Sequence, residues 1–278
     1  MSLITLLAVL GAALLHASWN ALIKTGGDKQ IAMLMLTLGH AAIGAMVVLF
    51  RPFPATEVWP WLIASGAIHT AYQLFLAYAY EHGDLSRVYP IARGGAPLIV
   101  ALVGAVVLAD VIAAMEYLGV LVLGLGILLM ARGVFQDGES RRLLPFALGS
   151  AVATAGYSLV DGMGARLSGD AVGFVAWLLI MSALFYTPVV LVQKGTKVLR
   201  APAKSWAFGA VASAASYLAY AVVVWAMTQA PIALVTALRE TSILFAVLIG
   251  RLFFGEPLQN GKLLAVGLIV TGVVLTRL

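Results

Sequence analysis

Long apolar stretches alternate with short polar links along the whole chain. The stretches fall near residues 3–23, 30–50, 60–81, 86–108, 112–132, 143–165, 170–192, 204–227, 231–253 and 260–277. Each is about as long as a helix must be to cross roughly 30 Å of hydrocarbon at about 1.5 Å per residue. The alternation typical of membrane strands is missing, so the pattern predicts an all-α protein with ten transmembrane helices, called spans 1–10 below.

Composition supports a membrane protein and argues against several other classes. The sequence is 62% hydrophobic and 10% charged, whereas a soluble domain is roughly half apolar and about a quarter charged. Its basic residues are scattered over short links, so nucleic acid is not expected as a partner. Neither a phosphate-binding loop nor a serine elbow or HExxH helix occurs, which argues against an ATP-driven pump and an intramembrane enzyme. No metal and no cofactor are predicted.

The two halves of the chain are related in sequence. A shift of 146 positions superposes Arg93 on Arg239, and apolar residues match apolar residues over most of that stretch. We therefore predict one membrane domain made of two five-helix repeats, residues 1–137 and 138–278. Because five is odd, the second repeat enters the membrane upside down, which gives an inverted repeat around a central cavity.

Basic residues in the links predict the orientation of the chain. Links after odd-numbered spans hold 12 Lys and Arg, against three on the other side, namely Arg51, Arg166 and Arg277. The positive-inside rule then places the odd-numbered links in the cytoplasm and both termini outside a bacterial inner membrane.

Three ionisable residues lie deep within the predicted spans. Arg93 lies in span 4, and Arg239 and Glu240 lie in span 9. A charge at the bilayer centre costs roughly 2.5 to 3.5 kcal/mol on insertion scales, so such groups face a partner or a wet cavity. Either guanidinium is suited to hold a substrate carboxylate; a salt bridge that ties helices together is the alternative.

Glu240 breaks the symmetry of the repeat, because its equivalent is Gly94. It is a candidate for binding a substrate ammonium or a proton, with an ion pair to another helix as the alternative. Neighbours on a continuous helix point about 100° apart, so Glu240 need not pair with Arg239.

Polar and aromatic residues in other spans are further candidates for lining the cavity. Span 1 places Trp19 and Asn20 one turn beyond His16 on the same helix face. Aromatic rings with hydroxyl groups suit the walls of a substrate site, whereas a packing role is the alternative for each histidine. The other predicted lining residues are His69, Tyr72, Gln73, Tyr157 and Tyr217.

Span 4 carries a cluster of helix-perturbing residues around Arg93. They are Pro90, Gly94, Gly95 and Pro97. Proline removes a backbone donor and kinks membrane helices, and the freed carbonyl groups can face a ligand or water. This cluster is predicted to be a hinge or a half-broken helix; a static kink is the alternative.

The end of the chain resembles a known family. Residues 248–258 read LIGRLFFGEPL and residues 267–275 read GLIVTGVVL, with a weaker echo from Pro97 to Gly126. Together with the ten spans, these segments resemble the drug/metabolite transporter superfamily, specifically its EamA-type ten-helix exporters, which include amino-acid exporters of the YddG kind. The resemblance implies export of small metabolites, often amino acids, by alternating access. It also implies cytoplasmic termini, opposite to the charge count.

The leading hypothesis is a secondary transporter that exports amino acids or similar zwitterions, driven by a proton gradient or by substrate concentration alone. Efflux of lipophilic cations is an alternative, favoured if Glu240 is unpaired and faces the cavity. A membrane scaffold or lipid-handling protein is the alternative of another class. The expected partners are a small molecule, the lipid bilayer and, as a candidate, protons; the sequence does not decide between monomer and homodimer.

Overall fold

Helices make up nearly all of the computed structural model, which describes residues 1–24, 29–82, 85–108, 110–130, 142–200, 202–254 and 260–277. Within these residues there are two short 3₁₀ turns, Thr56–Val58 and Thr196–Arg200, and no strand. The α-helices are α1 (Leu3–Lys24), α2 (Lys29–Val48), α3 (Trp59–His82), α4 (Leu85–Val107), α5 (Ala114–Met130), α6 (Leu143–Ser168), α7 (Ala171–Lys194), α8 (Ala203–Gln229), α9 (Ile232–Arg239), α10 (Ser242–Phe254) and α11 (Asn260–Leu275).

The ten predicted spans correspond to these helices, with ends that shift by a few residues. Span 9 is divided into α9 and α10. Among the residues that the structure describes, six segments are long and apolar enough to cross a membrane, and α4, α5 and α11 contain shorter apolar runs. α3 falls outside both groups because polar residues, among them His69 and Gln73, interrupt its apolar sequence. The chain is an integral membrane protein of the predicted all-helical class.

The distribution of exposed residues is that of a protein in lipid. On α5, four exposed leucines recur every three or four residues and form one apolar outer stripe: Leu118, Leu121, Leu125 and Leu128. Charged side chains deep within the spans lie inside instead, since Arg93 is 2% exposed and Glu240 is 0% exposed. A soluble helix shows the reverse arrangement.

Helix packing follows the symmetry of the repeat. α3 packs on α6 as its equivalent α8 packs on α1, and α4 packs on α6 as α9 and α10 pack on α1. Two extensive contacts join equivalent helices directly, α2 with α7 and α5 with α11. These matched contacts are those expected of two inverted repeats related by a twofold axis in the membrane plane.

The contact between α5 and α11 shows the same symmetry at the level of atoms. A Cβ added at Gly126 would lie 2.9 Å from the Ala265 carbonyl oxygen, and one added at Gly272 would lie 2.7 Å from the Gly119 carbonyl oxygen. The shift of 146 relates Gly126 to Gly272 and Gly119 to Ala265, so the two contacts are equivalent. Only glycine allows the two backbones to approach this closely.

α4 is continuous from Leu85 to Val107 through Pro90, Gly94, Gly95 and Pro97. The half-broken helix predicted for this segment is therefore not found there, although a hinge role stays a prediction. The two glycines serve close packing instead, because Cβ atoms added to them would press against α5 and α6.

The interruption lies in the repeat equivalent of α4, between α9 and α10. The amide of Glu240 donates to the Ala237 carbonyl at 3.1 Å, and the amide of Thr241 donates to the Leu238 carbonyl at 3.0 Å. These bonds reach back three residues instead of four, and the Thr241 hydroxyl also donates to the Leu238 carbonyl at 2.7 Å. Competition of such side chains for backbone groups favours a local departure from the α-helix.

Both termini lie at the same end of the bundle, as an even number of spans requires. Arg277 Nη1 donates to the Met1 carbonyl oxygen at 2.7 Å. The predicted boundary between the repeats, at 137/138, and two of the basic residues counted for orientation, Arg132 and Arg141, lie outside the described residues. The side of the membrane on which the termini lie stays a prediction.

Candidate functional site

A cavity of about 70 Å³, whose wall combines apolar, aromatic and polar side chains, lies inside the bundle between the two repeats. Helices from both repeats contribute to its wall, as expected where inverted repeats meet. Its polar and aromatic lining consists of His16, Trp19, His40, His69, Tyr72, Gln73, Arg93, Tyr157, Ser216, Tyr220 and Arg239.

Most of the lining residues predicted from sequence lie on this wall. They are His16, Trp19, His69, Tyr72, Gln73, Arg93, Tyr157 and Arg239. Trp19 and Tyr157, which a shift of 138 superposes, reach the cavity from α1 and α6, and the ring of Trp19 packs edge-on against His16 at 5.0 Å. His40, Ser216 and Tyr220 also line the cavity and were not among the predicted lining residues.

Three predicted lining residues lie elsewhere. Asn20 turns back along its helix and donates to the His16 carbonyl at 2.8 Å. Tyr217 packs against the ring of His40, with 6.4 Å between centroids, because α8 presents Ser216 and Tyr220 to the cavity instead. Tyr217 was predicted to line the cavity because it lies deep within span 8. Depth along a helix does not determine which of its faces meets the cavity. Glu240 lies behind the cavity wall.

Glu240 joins the two repeat-related arginines. Arg93 Nε donates to Glu240 Oε2 at 2.8 Å, and Arg239 donates to Glu240 Oε1 from Nη2 at 3.2 Å and from Nε at 3.3 Å. The three side chains are at most 4% exposed. Two cations share one anion, so this arginine–glutamate trio carries one net positive charge. A carboxylate so far from water requires such partners.

The pairing of Arg239 with the residue next to it was not expected for a continuous helix. α9 ends at Arg239, and Glu240 begins the turn that leads into α10. The interruption therefore changes the direction of the Glu240 side chain and allows neighbouring residues to meet. It also places the shared carboxylate within reach of Arg93 on α4.

A second buried cluster lies beside the trio. Asp161 Oδ2 lies 2.9 Å from His69 Nε2 and accepts a short hydrogen bond from the Tyr220 hydroxyl. Asp161 is 0% exposed and lies one layer behind the cavity wall, to which His69 and Tyr220 belong. Asp161 was not predicted, although it is a carboxylate within span 6, and ionisable residues within spans are expected to face a partner or a wet cavity.

Tyr157 lies between the two clusters. Its ring stacks on His69 with 4.2 Å between centroids, and the Arg239 guanidinium carbon lies 5.6 Å from its centroid. Tyr72 packs edge-on against the same ring at 5.5 Å. One aromatic side chain thus contacts both the positive trio and the aspartate cluster.

A third polar cluster lies at one end of the bundle. Arg166 forms a bidentate pair with Asp110, with distances of 2.7 Å and 3.2 Å, and donates to the carbonyl groups of Met227 at 2.8 Å and Ala230 at 2.9 Å. Asp110 also accepts from the Ile232 amide at 2.9 Å. This end cluster connects the end of α6, the link after α4, the end of α8 and the start of α9.

Comparisons with known proteins agree with the fold. The sequence profile of the EamA-like transporter family matches residues 3–132 and 142–278. A solved crystal structure of a protein superposes with a TM-score of 0.76 and 17% identity, over 99% of this chain and 98% of that chain, which shows the fold alone. No protein with a curated description matches the sequence.

Proposed function

Because the chain belongs to the EamA-like transporter family and is therefore a membrane transporter of small solutes, we propose that it exports amino acids or similar zwitterions. The route is the central cavity between the repeats, exposed to each side of the membrane in turn. The driving force is a proton gradient or the substrate gradient itself. The sequence resemblance to amino-acid exporters of the YddG kind is one reason for proposing this substrate class.

The arginine–glutamate trio is the observation that supports this substrate class. Arg93 and Arg239 both line the cavity, and the Glu240 carboxylate lies between them. Arginine recognises carboxylates through paired N–H donors, and charge-assisted hydrogen bonds are strong away from water. A solute that carries a carboxylate therefore finds both attraction and geometry at this wall.

Efflux of lipophilic cations has less support. An unpaired Glu240 facing the cavity would favour that alternative, but both of its oxygens accept from arginines and it lies behind the wall. Close to the arginine–glutamate trio, which is net positive, a cation that lacks a carboxylate is repelled.

Counterflow into liposomes tests the proposal. Purified protein is reconstituted with unlabelled amino acids inside, and uptake of labelled amino acids is compared with uptake of the amines that lack only the carboxylate. We expect amino acids to exchange and the matched amines not to exchange. Equal exchange of an amine and its parent amino acid would contradict the proposal and favour cation efflux.

Direction of export depends on orientation, which we propose from the twelve-to-three count of basic residues: odd-numbered links in the cytoplasm and termini outside. Fusion of a fluorescent protein or alkaline phosphatase to the C-terminus tests this. We expect an active phosphatase and a dark fluorescent protein. The opposite pair of results would show cytoplasmic termini, as the family resemblance implies.

A further inference from the structure

We propose that the cavity holds a second subsite, which binds the ammonium group of the substrate and uses Asp161 as its counter-ion. Its wall is the aromatic group of His69, Tyr72, Tyr157 and Tyr220. This inference rests on the proposed function and names how the other end of a zwitterion is recognised.

The carboxylate of Asp161 is the first observation. It is completely buried, and both of its hydrogen bonds, from Tyr220 and His69, reach the same oxygen, Oδ2. Its other oxygen, Oδ1, has no hydrogen-bond partner in the described part of the chain. A buried carboxylate with one bare oxygen is costly unless a positive charge lies near it. A cation in the adjoining cavity supplies that charge.

The aromatic wall is the second observation. The rings of His69, Tyr72 and Tyr220 all pack around Tyr157, with centroids 4.2 Å, 5.5 Å and 6.1 Å from it. Ring faces attract ammonium groups within about 6 Å of their centroids, most strongly where water is excluded. Tyr220 also lines the cavity, and its hydroxyl donates to Asp161, which connects the aromatic wall to the carboxylate.

The arrangement of charge is the third observation. The arginine–glutamate trio is net positive, whereas the Asp161 carboxylate brings a negative charge to the second cluster, and Tyr157 contacts both clusters. A zwitterion is therefore favoured in one direction, with its carboxylate toward the arginines and its ammonium toward the aromatic wall. The reverse direction brings like charges together and is disfavoured.

Asp161 could instead serve only to hold His69 and Tyr220 in place, so the test needs a readout that a structural role does not move. That readout is the ratio of transport of a free amino acid to transport of its N-acetyl derivative, which keeps the carboxylate and lacks the ammonium. The variant Asp161→Asn keeps the shape and an acceptor for Tyr220 while removing the charge.

We expect the wild type to prefer the free amino acid by roughly tenfold, the size of a desolvated cation–π contact, and Asp161→Asn to lose most of that preference. Transport of the N-acetyl derivative should persist. The matched control is Asp170→Asn, which neutralises an acid at the start of α7, where asparagine also caps the helix. This control should keep the wild-type ratio.

Tyr72→Leu provides a second test if Asp161→Asn folds poorly, since it removes one ring and leaves Asp161 untouched. It should lower the ratio without abolishing N-acetyl transport. An unchanged ratio in a folded Asp161→Asn or in Tyr72→Leu would overturn the ammonium subsite while leaving amino-acid export intact. A wild type that carries no amino acid would instead overturn the proposed function, and this inference with it.

Discussion

α4 and the α9–α10 pair are equivalent helices with opposite behaviour. α4 contains two prolines and two glycines around Arg93 and is continuous, whereas span 9 contains neither residue type between Ile232 and Ile249 and is interrupted at Glu240. The interruption lies within a polar run, Arg239–Ser242. Backbone amides and the Thr241 hydroxyl in this run donate to carbonyl groups three residues earlier. Helix-perturbing residues permit a break, but bonds that replace the α-helical ladder produce it.

Among the variants that test this difference between α4 and the α9–α10 pair, Glu240→Gln should lower stability the most. It leaves two buried guanidinium groups without their shared anion, and breaking a buried ion pair costs about 3 to 5 kcal/mol. We expect a clearly lower melting temperature in detergent and low expression. The double variant Arg239→Gln with Glu240→Gln removes one cation together with the anion and should recover part of the loss. A single variant that melts like the wild type would show that the trio does not stabilise the interruption.

Arg93→Lys and Arg239→Lys come next in size, because lysine keeps the charge but offers a point contact in place of a planar fork. A hydrogen bond to a charged group is worth about 1.5 to 3 kcal/mol, so we expect each variant to lower amino-acid transport roughly tenfold or more. Liposome counterflow at equal amounts of folded protein measures this. If only one of the two lowers transport, the repeat-related arginines do not share the carboxylate site.

Gly94→Ala should lower the melting temperature moderately. The added Cβ would lie 2.7 Å from Ile127 Cγ2, and overpacking typically costs about 1 to 3 kcal/mol. The matched control is Gly95→Ala, whose Cβ would lie 3.2 Å from that of Ala151 and should be milder. Melting temperatures that rank in this order support a packing role. Two variants that keep their melting temperature but transport slowly would support glycine flexibility instead.

Pro97→Ala should change stability the least, and it tests the hinge predicted in α4. The helix is already continuous around this residue, so we expect stability to change by no more than about 1 kcal/mol. Alanine restores a backbone donor and stiffens the segment, and a hinge would then show slower transport at an unchanged melting temperature. Unchanged transport would indicate a static kink.

Much of the fold could be predicted from hydropathy alone, because lipid leaves a long apolar segment few choices besides a spanning helix. The repeat shift went further and brought Arg93 and Arg239 to one cavity, since residues related by an inverted repeat approach the same axis. Both inferences depend on constraints that act along the whole chain.

The contacts of individual side chains were harder to predict. The pairing of Arg239 with Glu240 depends on a local turn that no proline or glycine marks, and the wall position of Tyr220 in place of Tyr217 depends on the rotation of α8. Asp161 differs, because the rule for ionisable residues within spans already pointed to it. A consistent search for carboxylates would have found the aspartate cluster.

The end cluster around Arg166 has a kinetic consequence. One guanidinium and one carboxylate hold four separate chain segments through five hydrogen bonds. Arg166 takes part in four of the five bonds, so its loss would release α6 from both the link after α4 and the end of α8. Separation of α6 from these segments at this end should therefore be slow in the wild type and faster when Arg166 is replaced.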